Sequence, residues 1–283
     1  MIKANEKIFQ FYLAMMDSFK EFLSEKYSKS ESIEDTKHYQ TIIIEKIVRM
    51  FNSLELLTSK TKDEVSARCI LRCIIDSVTT YCFIYQRIDS NEVTFRHFLY
   101  CLDGWREYKK SVIPISEDND YKKEEEILCD YAIKQIEEKL YQHPYYMKRR
   151  DNVDTIIQEA NWKYGSLENH RRLSFGEMYS TIGFNSGSTE YYQNYLSQFV
   201  HGLCFSNKPF EESEQIKRVL YESIPIADKF IQAIFQNFHN NERTMHALIS
   251  DSVFELLHSK NFNYYDLGEF IKELLQKNKT IVI

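Results

Sequence analysis

Glycine and proline are scarce: 7 and 4 in 283 residues. Tight turns draw heavily on both, so a strand-rich chain with many reversals is excluded and long elements are expected. No run of about 18 consecutive apolar residues occurs, which excludes a membrane-spanning helix. The opening Met1–Lys7 leads straight into a pattern carrying Asp17, Lys20 and Glu21. An apolar signal-peptide core is absent from that stretch, and the expected location is cytoplasmic. The six cysteines (Cys69, Cys73, Cys82, Cys101, Cys129 and Cys204) form no CxxC pair and no zinc-type Cys/His spacing. They read as reduced core residues, with no metal and no cofactor expected. An excess of basic charge is lacking too. The formal net charge of -6 excludes a nucleic-acid footprint spread over the whole surface. Neither a phosphate-cradling glycine loop nor a GxSxG elbow is found, and no repeat of 20 to 50 residues points to a solenoid.

What remains is a globular composition, 43% hydrophobic and 28% charged, with apolar residues at helical spacing. Ile8, Phe9, Tyr12, Met16, Phe19 and Leu23 predict a first amphipathic helix over about 5–27. A start at Ser30–Ser32, followed by Glu34, leads into a second helix through Ile43, Ile47 and Leu54. The third, about 62–88, is apolar around most of its circumference and reads as the central helix. Helices at about 93–110 and 121–141 follow, and the pattern then weakens between about 142 and 187. Ser174 with Glu177 three residues on predicts a capped short helix over 175–182, ended by Gly183. Further helices are expected at about 188–204, 211–238 with Pro225 inside, 242–257 and 264–276. The expected architecture is all-α: a main helical bundle over 1–205, and C-terminal helices over 206–283 packing on it or appended to it.

Two polar constellations stand out. Arg68, Arg72 and Asp76 fall at four-residue steps on the central helix and share one face. A guanidinium among Cys, Ile and Leu costs several kcal/mol unless it is paired, and Asp76 is the expected partner of Arg72. Such a group is either a structural ion pair or a polar pocket in the bundle core. Tyr195, Ser197 and His201 occupy a later helix, with Ser197 and His201 one turn apart. Histidine exchanges protons near neutral pH, and a hydroxyl one turn away can orient its ring. The basic runs Lys148–Arg150 and His170–Arg172 read as solvated surface. The Glu255-x-x-His258 and Asp35-x-x-His38 spacings are half of what a carboxylate-bridged di-iron bundle needs and read as surface coincidence.

The stretch from Leu173 to Gly202, with Ser174-Phe175-Gly176-Glu177-Met178, Gly183, and Tyr191-Tyr192-x-x-Tyr195-Leu196-Ser197-x-x-Val200-His201-Gly202, resembles a bacterial helical family known only as a domain of unknown function. Its members pair a Y-x-x-L-S-x-x-V-H helix with an earlier R-x-x-x-[DE] helix, matched by Arg72 and Asp76, and the resemblance spans about residues 40–205. That shape is similar to the HEPN superfamily, whose active members are ribonucleases of toxin and phage-defence systems. HEPN enzymes carry Arg and His on one helix as R-x(4-6)-H. The seven residues before His201 contain no arginine. The resemblance therefore implies a HEPN-like core in which Arg72 serves from across the bundle.

Two functions are expected from these readings. In the first, the chain is an RNA-cleaving or RNA-binding factor of a bacterial defence or stress system. His201 is its general acid or base, Arg72 stabilises the phosphorane charge, Asp76 orients Arg72, Ser197 positions His201 or contacts substrate, and Arg68 and Tyr195 bind substrate. No metal enters that scheme. In the second, the same residues tie helices together in a non-catalytic protein-interaction module. RNA or a partner protein is the expected partner, a homodimer is compatible with either reading, and no membrane is involved.

Overall fold

The computed structural model describes residues 2–27, 32–115, 119–148, 150–168, 170–203 and 212–238. Among them the chain is all-α, with one isolated antiparallel bridge, Tyr164 to Arg172, in place of any strand. No described helix is long and apolar enough to cross a membrane. The expected helices at 242–257 and 264–276, with Glu255 and His258, lie outside the described residues, as do Ser30 and Cys204.

The contacts divide the chain into two compact units, Met1–Cys82 with Tyr179–Ile283, and Phe83–Met178. In the first, α1 (Ile2–Tyr27) packs against α2 (Thr36–Leu56) and α11 (Glu212–Phe238). The inward stripe of α1, Phe9, Met16, Phe19 and Leu23, is fully buried, as the three- and four-residue spacing requires. Each such side chain contributes about 1.5–3 kcal/mol. Phe19 meets Phe235 edge-on at 4.7 Å. Helix α2 begins one cap later than expected: Asp35, not Ser30–Ser32, accepts the Lys37 and His38 amides at 3.1 and 3.0 Å. His38 Nδ1 meets the Tyr27 carbonyl at 2.7 Å, so the Asp35 and His38 pair joins two helix ends. A π turn, Leu57–Thr61, closes α2 on the left-handed Lys62.

Central helix α3 (Glu64–Tyr85) buries Leu71, Ile74, Ile75, Val78 and Tyr81 completely. Its cysteines are not uniformly core residues: Cys82 is buried, Cys69 half-buried and Cys73 exposed. Cys69 and Cys73 lie on the side of the helix turned away from the core residues, which the apolar composition of the run conceals.

The second unit holds α4 (Ser90–Ser111), α5 (Asn119–Gln142), α6 (Pro144–Met147) and α7 (Arg150–Gln158), followed by an irregular segment to residue 174. Buried Arg96 organises that segment. Its guanidinium donates to the Trp162 and Tyr164 carbonyls at 3.0 Å each and to Glu92 at 2.8 Å, and it lies 3.6 Å from the centre of the Tyr164 ring. Arg171 pairs with Glu177 and Arg172 with Asp103, so this basic run is largely neutralised by its own neighbours. Helix α8 (Phe175–Thr181) starts on the expected reciprocal cap: Ser174 N donates to Glu177 at 2.8 Å and Glu177 N to Ser174 Oγ at 3.3 Å. Gly183, at φ +99°, ends it.

Candidate functional site

The expected helix at 188–204 is three pieces. Asn185 caps α9 (Ser186–Glu190), a π turn spans Tyr191–Tyr195, and α10 (Leu196–Val200) ends on His201, with Gly202 at φ +60°. A π turn spends an extra residue per turn and rotates the helix beyond it, a local irregularity that often marks functional segments. Here Tyr191 and Tyr195 stack at 5.0 Å with planes 26° apart, and Phe199 abuts Tyr195 at 5.3 Å.

Beneath that stack sits Arg68, 1% exposed. Its Nε donates to Glu64 at 2.7 Å, and its Nη1 donates to Tyr191 Oη at 2.8 Å and to Glu222 at 3.2 Å. The guanidinium carbon lies 5.2 Å from the Tyr195 ring centre and 5.1 Å from that of Phe199. Burial acts to lower the Arg68 pKa, but Tyr191, Glu64 and Glu222 outweigh it and the net shift is upward. Tyr191 in turn donates to Glu222. Burial first, and Glu222 second, hold its phenol protonated.

One turn along α3 the pattern repeats. Arg72 donates to Asp76 and to Tyr179 Oη, and Tyr179 donates to Asp76. Burial and then Asp76 raise the Tyr179 pKa. Each cluster thus closes an arginine, a tyrosine and a carboxylate on one another, with the phenol as both acceptor and donor and, at Arg68, Glu64 as a second carboxylate. Tyr192 lies between them, its ring edge to face with Tyr179 at 6.4 Å and with Tyr191 at 5.4 Å.

Arg72 and Asp76 are therefore brought together, as are Arg68 and Tyr195. Ser197 turns back onto its own helix, its Oγ donating to the Gln193 carbonyl. His201 is exposed, and among the described residues no hydrogen bond or ion pair reaches its ring, from Arg72 or from any other group. An open groove of about 600 Å³ runs along the same helical segment, lined by Gly187, Glu190, Tyr191, Asn194, Tyr195 and Gln198, and His201 follows Gln198 by one turn.

Tyr191, Glu222, Tyr179 and Glu64 complete these clusters without having been assigned a role from sequence. Glu64 was findable by the four-residue rule that picked Asp76. Glu222, 154 residues from Arg68, had no local signal. The tyrosines nearest Leu196 stand one and four residues before it, so of the Y-x-x-L-S-x-x-V-H pattern the Leu-Ser-x-x-Val-His portion is the part matched. No family model matches the chain, and no curated protein or solved structure shows significant similarity to it.

Proposed function

We propose that the chain is a non-catalytic helical interaction module of the cytoplasm, which meets a partner protein through the exposed side of residues 187–201. The observation that carries this reading is the sealing of Arg68, whose charge is spent on Glu64, Glu222 and Tyr191 with 1% of the residue exposed. A guanidinium closed in this way ties α3 to the 191–200 segment and to α11, and it is not offered to a substrate. Arg72, although partly exposed, is paired with Asp76 and Tyr179 and not with His201. The groove above the tyrosine stack is then the recognition surface, with Glu190, Asn194 and Gln198 presented on a rigid base.

A second reading, an RNA-cleaving or RNA-binding factor on a HEPN-like core, has one observation in its favour. The His201 ring is exposed, unengaged among the described residues, and stands one turn beyond the groove. General acid-base catalysis needs such an accessible imidazole, although it also needs a group to stabilise phosphorane charge. The two readings separate in one experiment. Wild type and His201→Ala are expressed in bacteria for growth and purified for incubation with single-stranded RNA. The module reading expects intact RNA and equal growth with both proteins. RNA cut by wild type and spared by a folded His201→Ala overturns it in favour of the second.

A further inference from the structure

Helix α3 presents two thiols one turn apart, Cys69 half-buried and Cys73 exposed. They sense one another: the Cys69 thiol is pushed up first by burial, then by Cys73 and Asp63. Side chains four residues apart on a helix have Cβ atoms about 5–6 Å apart. A disulfide needs Cβ atoms about 3.5–4.5 Å apart, so an intact α3 holds these sulfurs too far apart for a direct bond. A metal bridge is longer. Two metal–sulfur bonds of about 2.3 Å laid in line separate the sulfurs by about 4.6 Å, which side chains rooted 5–6 Å apart reach without moving the backbone. The number of ligands then selects the ion. Among the described residues no group of three or more His, Cys, Asp or Glu side chains can hold a metal, so a tetrahedral zinc site has no further protein ligands to complete it. A soft monovalent cation of the Cu(I) kind prefers thiolates and is satisfied by two of them in line.

We propose that Cys69 and Cys73 form a two-thiolate site on the surface of α3 for a soft monovalent cation of the Cu(I) type. Binding forms two sulfur–metal bonds and breaks two S–H bonds. Two protons leave to solvent, the site takes a net charge of -1, and no electron is transferred. The site is independent of the interaction-module reading, since it involves neither the groove nor the arginine clusters.

The test is an anaerobic titration of the reduced full-length chain with Cu(I) against a chromogenic Cu(I) chelator, beside Cys69→Ser, Cys73→Ser and Cys204→Ser. Wild type and Cys204→Ser are expected to withdraw one equivalent of Cu(I) with equal affinity. Cys69→Ser and Cys73→Ser are each expected to lose at least 100-fold. Wild-type affinity in either of these two variants, or loss of the site in Cys204→Ser, overturns the pair. Cys73 is exposed, so Cys73→Ser decides the matter if Cys69→Ser does not fold.

Discussion

Replacing Arg68 by methionine removes a charge and keeps most of the volume, and its cost is set by the groups left behind. Glu64 and Glu222 are only 12% and 11% exposed, and each loses its link to the guanidinium. Glu222 keeps Arg218 at 2.8 Å, whereas among the described residues Glu64 has no second cation in its ion pairs. Breaking a buried pair from one side costs about 3–5 kcal/mol, and for a chain of this size that lowers the melting temperature by about 10 °C. Thermal unfolding followed by far-UV circular dichroism should show this gap between wild type and Arg68→Met at pH 7.5. Adding Glu64→Gln and Glu222→Gln to Arg68→Met should recover part of the gap at pH 7.5. A gap under about 1 kcal/mol at pH 7.5 refutes the view that Arg68 is a sealed charge holding the segments together.

Two further outcomes concern the second unit. His143 Nδ1 accepts the Tyr145 amide at 3.1 Å as the cap of α6 while Nε2 meets Thr94 at 2.8 Å, so the neutral ring fits this place. Burial lowers its pKa against an opposing pull from Asp89, and stability present above pH 6.5 is lost as pH falls from there through the lowered value. His143→Asn keeps the capping acceptor and removes the titration. Wild type should lose about 1 kcal/mol more than this variant between pH 7.5 and 5, the worth of an N-cap, and identical urea-unfolding profiles would exclude His143 as the titrating group. Arg96→Met should strip the Trp162 and Tyr164 carbonyls and Glu92 of their partner at about 3–5 kcal/mol. Faster tryptic cleavage after Lys163 is the expected sign, and an unchanged digestion pattern would show that the 159–174 segment is held by other contacts.

How much of this was legible depended on distance along the chain. The helices were, because the spacing of Phe9, Met16, Phe19 and Leu23 is local and a period of 3.6 residues writes it directly into the sequence. So were the reciprocal cap of Ser174 and Glu177 and the Arg72 and Asp76 pair, whose partners stand three and four residues apart. The π turn at Tyr191–Tyr195 was not: it interrupts a pattern that reads as one continuous helix. Nor could sequence show that Arg68 is the sealed guanidinium and Arg72 the partly exposed one, since both sit at equivalent four-residue steps. Tertiary packing decided that by bringing Glu222 to Arg68 and Tyr179 to Arg72 across 154 and 107 residues. A carboxylate or phenol that far away is interchangeable with many others until the helices pack, and only then does low-dielectric burial make one pairing far better than the rest.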